Sequence, residues 1–246
     1  MSDTDFIYGR NSVSGLMSKS PETIAKLYIR DSAKGKIIDD LKRDAAASRI
    51  PFQIVPGNKL FQMVGKVNDQ GVVAQVSMGE YVELENWFTT IDISAKPIVL
   101  LLDEIEDAHN FGAIIRTAAS AGVAGIIVGK HKQAPLNSTV FKTSSGTLPL
   151  LPIVRVTNIS QAIDRLKEEG FWVCGTDQDA DENYWQKDLN MPLVIIIGNE
   201  GKGMRSLTKK NCDFLVSIPM DEAVESLNAS VSAALLCYEA LRQRKM

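Results

Sequence analysis

Apolar and polar positions alternate along the first part of the chain in a way that predicts a small α/β domain. Strands are predicted at residues 24–29, 52–55 and 71–76. A helix is predicted over residues 37–48, where the apolar positions recur at the spacing of one helical face. Those positions are Ile37, Ile38, Leu41 and Ala45. We assign this domain to residues 1–78, since strand and helix alternation is typical of a layered α/β fold.

A second and longer pattern begins at Ile98. The segment Ile98–Asp103 is apolar throughout, which is typical of a strand buried on both faces of a parallel sheet. Further strands are predicted at residues 125–129, 151–154, 171–176, 193–197 and 214–218, with helices between them that include one over residues 113–121. This alternation predicts a parallel sheet with helices on both faces, in a domain that we assign to residues 97–246.

Residues 79–96 separate the two patterns. They are acidic, with Glu80, Glu83 and Glu85, and they lack a clean period. We interpret them as a linker that packs in part through Trp87 and Phe88.

Apolar residues at helical spacing return near the C-terminus and predict an amphipathic helix. They are Leu227, Val231, Ala234, Leu235, Tyr238 and Leu241. Ser226 and Asn228 stand at the start of this helix, where free backbone N–H groups require a capping side chain. On its own this stretch is typical of a capped helix that ends a domain.

Three loops at the carboxyl ends of predicted strands are rich in polar and glycine residues, at 107–116, 198–204 and 219–230. Ligands of open parallel sheets bind at that edge, so we expect one shared site. Glu200 is the only acid of the second loop, and Arg116 is the only cation on the helix after Asn110. A structural ion pair and a substrate-polarising pair are both compatible with this pattern.

Composition narrows the classes of function. The net charge of −3 divides into +3 for residues 1–78 and −6 for the remainder, a weak indication of contact with a polyanion. Three widely spaced cysteines argue against a disulfide framework and fit the reducing cytoplasm. With two histidines and no paired cysteines we expect no metal site. No apolar run approaches the ~20 residues that cross a membrane. The glycine pattern matches neither a P-loop nor a dinucleotide fingerprint.

Three motifs resemble, in order and spacing, those of the SpoU (TrmH-like) family of RNA ribose 2′-O-methyltransferases. They are Asp107-Ala-His-Asn-Phe-Gly-Ala-Ile-Ile-Arg-Thr-Ala, then Ile197-Gly-Asn-Glu-Gly-Lys-Gly-Met, then Ile218-Pro-Met followed by Glu-Ser-Leu-Asn-Ala-Ser. Near the N-terminus, Ile7-Tyr-Gly-Arg-Asn-Ser-Val resembles the L30e-like substrate-binding domain of the branch that methylates a guanosine of 23S rRNA.

The resemblance implies a SPOUT-type α/β knot, in which the C-terminal segment threads through a loop, and a homodimer formed through that domain. It implies S-adenosylmethionine as cofactor. The polar positions that match the family's catalytic residues are Asn110, Arg116, Glu200, Ser226 and Asn228. The positions expected at the cofactor are Thr176, Gly198, Gly203, Ile218 and Leu227.

The implied reaction is methyl transfer to a ribose 2′-hydroxyl, in a guanosine of 23S rRNA. Candidate RNA contacts are Arg10, Asn11, Arg30 and Lys130, for which ordinary surface cations are an equal alternative. A tRNA ribose 2′-O-methyltransferase and a non-catalytic RNA-binding protein of the same fold are the alternatives for the whole chain. The third motif contains an acidic run from Asp221 to Glu225 whose role the sequence leaves open.

Overall fold

A computed structural model describes residues 5–77, 79–221, 223–224 and 226–245 of the chain. The chain divides into two compact units. One consists of Met1–Glu80 with Leu136–Phe141, and the other of Tyr81–Pro135 with Lys142–Met246. Within the described ranges, no helix is both long enough and apolar enough to cross a membrane.

The first unit contains a four-stranded mixed sheet. Its strands are β1 (Asp5–Tyr8), β2 (Ile24–Arg30), β3 (Phe52–Val55) and β4 (Val72–Val76), and its helices include α1 (Arg10–Lys19), α2 (Lys36–Ala47) and α3 (Gly57–Val64). The order is β1-β4-β2-β3, with β4 antiparallel to both neighbours and β2 parallel to β3. The predicted strands and the helix α2 are therefore confirmed.

The core of this unit forms where α2 and the sheet present apolar side chains. Ile38, Leu41 and Ala45 of α2 are buried, as their helical spacing predicts. Ile37, which was expected on the same face, is 38% exposed. It lies one position before Ile38, and adjacent residues of a helix do not share a face.

The second unit is built on a six-stranded sheet in which every neighbouring pair is parallel. Its strands are β5 (Ile98–Asp103), β6 (Gly125–Gly129), β7 (Ile153–Val156), β8 (Trp172–Thr176), β9 (Leu193–Gly198) and β10 (Phe214–Val216). Their order is β10-β8-β9-β5-β6-β7. The other helices are α4 (Leu84–Phe88), α5 (Ala108–Ser120), α6 (Ser138–Thr143), α7 (Ile159–Glu168), α8 (Ser206–Lys210) and α9 (Ala229–Lys245), of which α6 begins in the segment assigned to the first unit. The parallel α/β architecture predicted from the sequence is confirmed.

Residues 81–96 belong to the second unit. Val82 pairs with Val154 of β7, and Trp87 is 1% exposed within the core formed by β5, β6 and α7. The indole Nε1 of Trp87 donates to the carbonyl of Ala124 at 3.3 Å. A Cβ atom on Gly125 would lie 2.8 Å from that nitrogen, so glycine is what lets the indole pack against β6.

Helix α5 and strand β7 each start at least two residues away from the start that the sequence predicts. Helix α5 begins at Ala108, five residues before the predicted start, because Asp107 caps it. One carboxylate oxygen of Asp107 accepts from the backbone nitrogens of His109 at 2.6 Å and Asn110 at 3.1 Å. Strand β7 begins two residues later than predicted, because Leu148–Leu150 forms a 3-10 turn ahead of it.

Helix α9 buries a face other than the apolar face that the sequence suggests. Its buried residues are Ala229, Ala233, Leu236, Cys237 and Ala240, and they pack against α5 and β9. Val231 and Tyr238 are 45% and 49% exposed. Small side chains let two helices approach closely, so alanines occupy the inner face while larger apolar residues remain outside.

Candidate active site and cofactor pocket

A pocket of about 620 Å³ lies at the carboxyl ends of β8, β9 and β10. All five residues expected at the cofactor line it, namely Thr176, Gly198, Gly203, Ile218 and Leu227. Its size is in the range of small-molecule sites, and its position is where an open parallel sheet binds ligands. The pocket is therefore a suitable size and place for a nucleoside cofactor.

A tight glycine turn forms one wall of this pocket. Asn199 and Gly203 exchange backbone hydrogen bonds of 3.1 and 2.8 Å. A Cβ atom on Gly198 would lie 2.4 Å from the carbonyl carbon of Gly203 and from the nitrogen of Met204. Only glycine fits there, and Gly203 adopts φ +64°, which glycine tolerates best. The backbone can thus approach a ligand closely at this wall.

The turn is anchored to the end of β5 by a buried carboxylate. Asp103 is fully buried and accepts from the backbone nitrogen and the Nε of Arg205, at 3.0 and 2.7 Å. The side-chain amide of Asn199 donates to the carbonyl of Glu104 at 2.9 Å. Both ends of the loop that carries Glu200 are therefore bonded to one strand end, which limits its movement.

Three of the five predicted catalytic residues meet beside the pocket. The Nδ2 of Asn110, on the first turn of α5, donates to Oε1 of Glu200. The Oδ1 of the same amide accepts from the Nδ2 of Asn228 at 2.9 Å. Asn110 therefore joins the first, second and third motif loops, and it uses its donor and its acceptor on different partners.

Asn228 is in turn oriented by the start of α9. Its Oδ1 accepts from the backbone nitrogen of Ser230 at 2.9 Å and from the Ser230 hydroxyl at 2.5 Å. This bonding is that of a helix cap, so one side chain both caps α9 and holds Asn110. Ser226, the fourth predicted catalytic residue, lies on the wall of the cofactor pocket.

Arg116 stands apart from this cluster. It lies on α5, six residues after Asn110, and it is exposed. Among the described residues no hydrogen bond or ion pair involves its guanidinium. The sequence is compatible with an ion pair between Arg116 and Glu200. The described residues contain no such pair, so the guanidinium is available to bind a ligand.

Acidic side chains outnumber cationic ones in the lining of the pocket. Asp177 and Asp179 line it together with Glu200, against Lys202 as the one cationic side chain of the lining described. Lys209 contacts Asp177 at 2.5 Å, and this hydrogen bond raises the pKa of the Lys209 ammonium. The two aspartates follow β8, a position that sequence patterns did not single out.

The candidate RNA contacts lie in both units. Arg10 and Arg30 line a pocket of about 460 Å³ in the first unit. Arg30 is held by Asp69 through bonds of 2.6 and 2.8 Å, and Arg10 donates through Nε to the carbonyl of Gln70 at 3.0 Å. Asn11 is exposed on α1. Lys130 lies at the end of β6 in the second unit.

Cysteine chemistry is not available at neutral pH. Cys174, Cys212 and Cys237 are free thiols. Burial raises the pKa of Cys212 and of Cys237 to about 12, and it raises the pKa of Cys174 still further. All three remain protonated, and a protonated thiol is neither a nucleophile nor a metal ligand. No cluster of three or more His, Cys, Asp or Glu side chains suited to a metal occurs among the residues described.

Sequence patterns missed several residues that shape the site. Asp107 immediately precedes the first turn of α5, an N-cap signal that would have found the start of that helix. Asp103 reads as the polar end of an apolar strand, and nothing in the sequence indicates its bond to Arg205 across the fold. In the acidic run of the third motif, Glu222 and Glu225 lie outside the described residues, so the role of the run stays open.

Comparison with known proteins identifies the family to which the chain is similar. The profile of the SpoU rRNA Methylase family matches residues 97–238, and that of the RNA 2′-O ribose methyltransferase substrate-binding domain matches residues 6–82. YacO of Bacillus subtilis, assigned to the TrmH family of tRNA/rRNA methyltransferases, is 42% identical and covers 98% of this chain and 96% of its own. The 23S rRNA (guanosine-2′-O-)-methyltransferase RlmB of Pseudomonas aeruginosa is 39% identical, over 99% of this chain and 98% of its own.

A solved structure agrees with these relatives. The SpoU methyltransferase AviRb of Streptomyces viridochromogenes, in complex with the cofactor AdoMet, superposes with a TM-score of 0.78 at 26% identity. The match covers 98% of this chain and 90% of AviRb. Since one profile matches more than half of the chain and full-length relatives exceed 30% identity, the chain belongs to the SpoU rRNA methylase family of RNA 2′-O-ribose methyltransferases, with S-adenosylmethionine as its cofactor.

Proposed function

We propose that this protein methylates the ribose 2′-hydroxyl of a guanosine in 23S rRNA. The observation that carries the reaction is the bridge from Glu200 through Asn110 to Asn228, placed beside a pocket lined by Gly198 and Leu227. The RlmB relatives, named as 23S rRNA guanosine methyltransferases, match at 37–39% identity across both units of the chain. These matches support the ribosomal target.

A tRNA substrate is the second candidate. The match to the A. aeolicus TrmH/SpoU tRNA modifying enzyme covers 61% of this chain, with a TM-score of 0.56 at 30% identity. The RlmB relatives instead match the region of residues 6–82 as well. Because the substrate-binding unit is shared with the rRNA enzymes, we favour rRNA over tRNA.

The pocket at the carboxyl ends of β8, β9 and β10 is the site that we assign to the cofactor. When bound, S-adenosylmethionine would supply a methyl group that is already activated by the positively charged sulfur to which it is bonded. Gly198 and Gly203 hold the ligand through backbone groups, with Thr176, Ile218 and Leu227 completing the wall. Asp177 and Asp179 favour a cationic ligand by their charge. Placement in line with the acceptor supplies much of the catalysis in such a site.

The Asn110 bridge orients the acceptor. Glu200 uses Oε1 to accept from Asn110, and no described residue bonds to its Oε2. We assign Oε2 to the ribose hydroxyl, which it would orient by accepting its hydrogen bond. The proton passes from the hydroxyl to water or to a neighbouring group as the oxygen is alkylated. Ser226, on the same wall, completes the polar surroundings of the ribose.

We assign Arg116 an electrostatic role, not that of a base. A guanidinium remains protonated at any pH at which proteins fold, so proton removal by Arg116 would be costly. It is exposed and unpaired among the described residues, which suits it to hold a phosphate of the RNA. From there it also stabilises negative charge that develops on the 2′-oxygen.

A knotted C-terminal segment fits the bonding around the connection between β8 and β9. Residues 182–184 of that connection bond to Ser217, just after the edge strand β10. Farther along, Lys187 and Leu189 bond to Gln243 near the end of α9. Helix α9 lies against β9, in the middle of the sheet. The connection between β8 and β9 is thus bonded to the C-terminal segment both before and within α9. We therefore propose that this segment passes through the loop that the connection forms, which makes a knot.

The exposed apolar face of α9 is the surface that we assign to a homodimer. Val231, Leu235 and Tyr238 lie on it, and Tyr184 adjoins it. Glu239 and Arg242 on the same surface bond to each other at 2.7 Å. In a two-fold dimer, each of these charges lies near a patch that contains its opposite charge. A two-fold interface places one patch against its copy, and this mixture of apolar and paired charged groups is self-complementary.

RNA contacts of the first unit complete the proposal. Arg10, Arg30 and Asn11 present polar groups on one domain that matches a substrate-binding family. The reaction belongs in the cytoplasm, where ribosomal RNA and reduced thiols such as those of this chain occur together.

The target is tested by mapping 2′-O-methyl groups in RNA from cells with and without the protein. We expect one guanosine of 23S rRNA to lose its methyl group, and we expect it to be restored by the wild-type gene. Loss at a tRNA position instead would establish the second candidate. Unchanged maps of both RNAs, with S-adenosylmethionine binding absent in calorimetry, would leave a non-catalytic RNA-binding protein.

The substitution Glu200→Gln tests the bridge. A glutamine oxygen can still accept from Asn110, so the loop geometry is retained while the negative charge is lost. We expect kcat to fall by about 10²-fold with little change in the KM for RNA. Single-turnover methylation measures this. The variant Glu80→Gln, outside the site, is the matched control, and a wild-type kcat for Glu200→Gln would overturn the role.

The substitution Arg116→Lys tests whether the planar guanidinium matters. Lysine keeps the charge but loses the two-pronged contact with phosphate, so we expect kcat/KM to fall by about 10-fold or more. Steady-state methylation of RNA measures it, with the exposed Arg43→Lys as control. Near-normal turnover would show that charge alone suffices at this position.

The substitution Tyr238→Asp tests the dimer. A charge in the middle of an apolar interface is left without a partner, so we expect the dimer to dissociate into monomers at micromolar concentration. Sedimentation velocity measures the mass. Leu207→Asp changes another exposed apolar residue, on α8, and should leave the mass unchanged. A wild-type protein that sediments as a monomer contradicts the proposal directly.

A further inference from the structure

A second pocket opens on the carboxyl edge of the parallel sheet. It has a volume of about 460 Å³ and lies where β6 and β7 end. Lys130 follows β6, Thr157 follows β7, and Arg155 is the exposed residue of β7. Neither the methyl-transfer chemistry nor the cofactor pocket uses this surface.

The pocket contains cationic side chains that form no ion pair among the described residues. Arg165, which also lines it, is engaged by Glu85 at 3.1 Å and Glu169 at 2.6 Å. Lys130 has no ion pair among the residues described. The guanidinium of Arg155 lies with its carbon 4.2 Å from the ring centroid of Tyr81. Stacking uses the flat face of a guanidinium and leaves its N–H edge available.

Polar groups at the start of α7 add to the cations. Asn158 caps this ten-residue helix, and its Oδ1 accepts from the backbone nitrogen of Gln161 at 3.3 Å. The dipole of a helix favours negative charge at this end. The described lining carries the three cations Lys130, Arg155 and Arg165 against the two acids Glu83 and Glu85, so its net charge is +1. An anion of the size of a phosphate fits this combination.

The order of the strands places this pocket relative to the reaction. The cofactor pocket belongs to β10, β8 and β9, whereas Asn110 follows β5 and Glu200 follows β9. The second pocket belongs to β6 and β7, on the other side of the polar cluster. Three strand intervals separate β9 from β7, which at about 4.8 Å each amounts to about 14 Å. A few nucleotides of RNA span such a distance.

We propose that Lys130, Arg155 and the start of α7 bind a backbone phosphate of the RNA, a few nucleotides from the methylated ribose. The inference rests on the proposed function and adds to it a subsite within the catalytic unit. The ribose then lies between two fixed points, the cofactor pocket on one side and the phosphate on the other. Phosphate contacts of this kind set the register of an RNA without reading its sequence.

The test compares Lys130→Gln and Arg155→Gln with the wild-type enzyme. Each loss of a phosphate contact should raise the Kd for RNA several-fold at moderate salt, and should reduce the slope of log K against log salt by about 0.7 to 1. The Kd for S-adenosylmethionine should remain unchanged, since neither side chain lines the cofactor pocket. Fluorescence anisotropy with the target RNA fragment, from low to moderate salt, measures the Kd for RNA and its dependence on salt.

Lys96→Gln is the matched control. Lys96 is exposed just before β5, at the amino edge of the same sheet, and its Nζ donates to the side-chain oxygen of Asn190 at 3.3 Å. If Arg155→Gln unfolds because the stack on Tyr81 is lost, Lys130→Gln carries the test, since Lys130 is exposed. Variants that match Lys96→Gln in affinity and salt slope, in an enzyme that methylates its RNA, overturn the subsite. A wild-type enzyme that methylates no RNA contradicts the proposed function instead.

Discussion

The Asn110 side chain imposes the constraint on which the site depends. An amide with one donor bonded to Glu200 and its oxygen bonded to Asn228 is satisfied only when three separate loops come together. A partly buried amide that loses either partner is costly. Helix α5, the glycine turn and the start of α9 are therefore coupled, and the cofactor wall forms from the same loops. Local bonding and the long-range path of the chain support one geometry.

The sheet and its edge follow closely from sequence. The uninterrupted apolar runs of β5 and β9 are what strands buried on both faces require, and parallel order then gathers their carboxyl ends. Glu200 and Asn110 come after these strands, so their proximity was expected from topology before any contact was known. The glycine turn was expected for the same reason.

Other features depend on tertiary contacts that no local pattern records. The inner face of α9 is made of alanines, which a hydrophobic pattern weights little, so the larger Val231 and Tyr238 gave the wrong impression of which side is buried. The bond between Asp103 and Arg205 joins residues about a hundred positions apart. The position of Trp87 in the core depends on the absence of a side chain at Gly125. In each case the deciding partner is distant in sequence.

The dependence of Asn110 on Asn228 has a consequence for the order of biosynthesis. The ribosome releases the N-terminal unit first, and domains fold as units while the rest of the chain is still being made. That unit can collapse around its own sheet, but the amide of Asn110 must wait for residues more than a hundred positions later. A nascent chain therefore contains the residues that match a substrate-binding domain well before Asn228 is available to complete the Asn110 bridge.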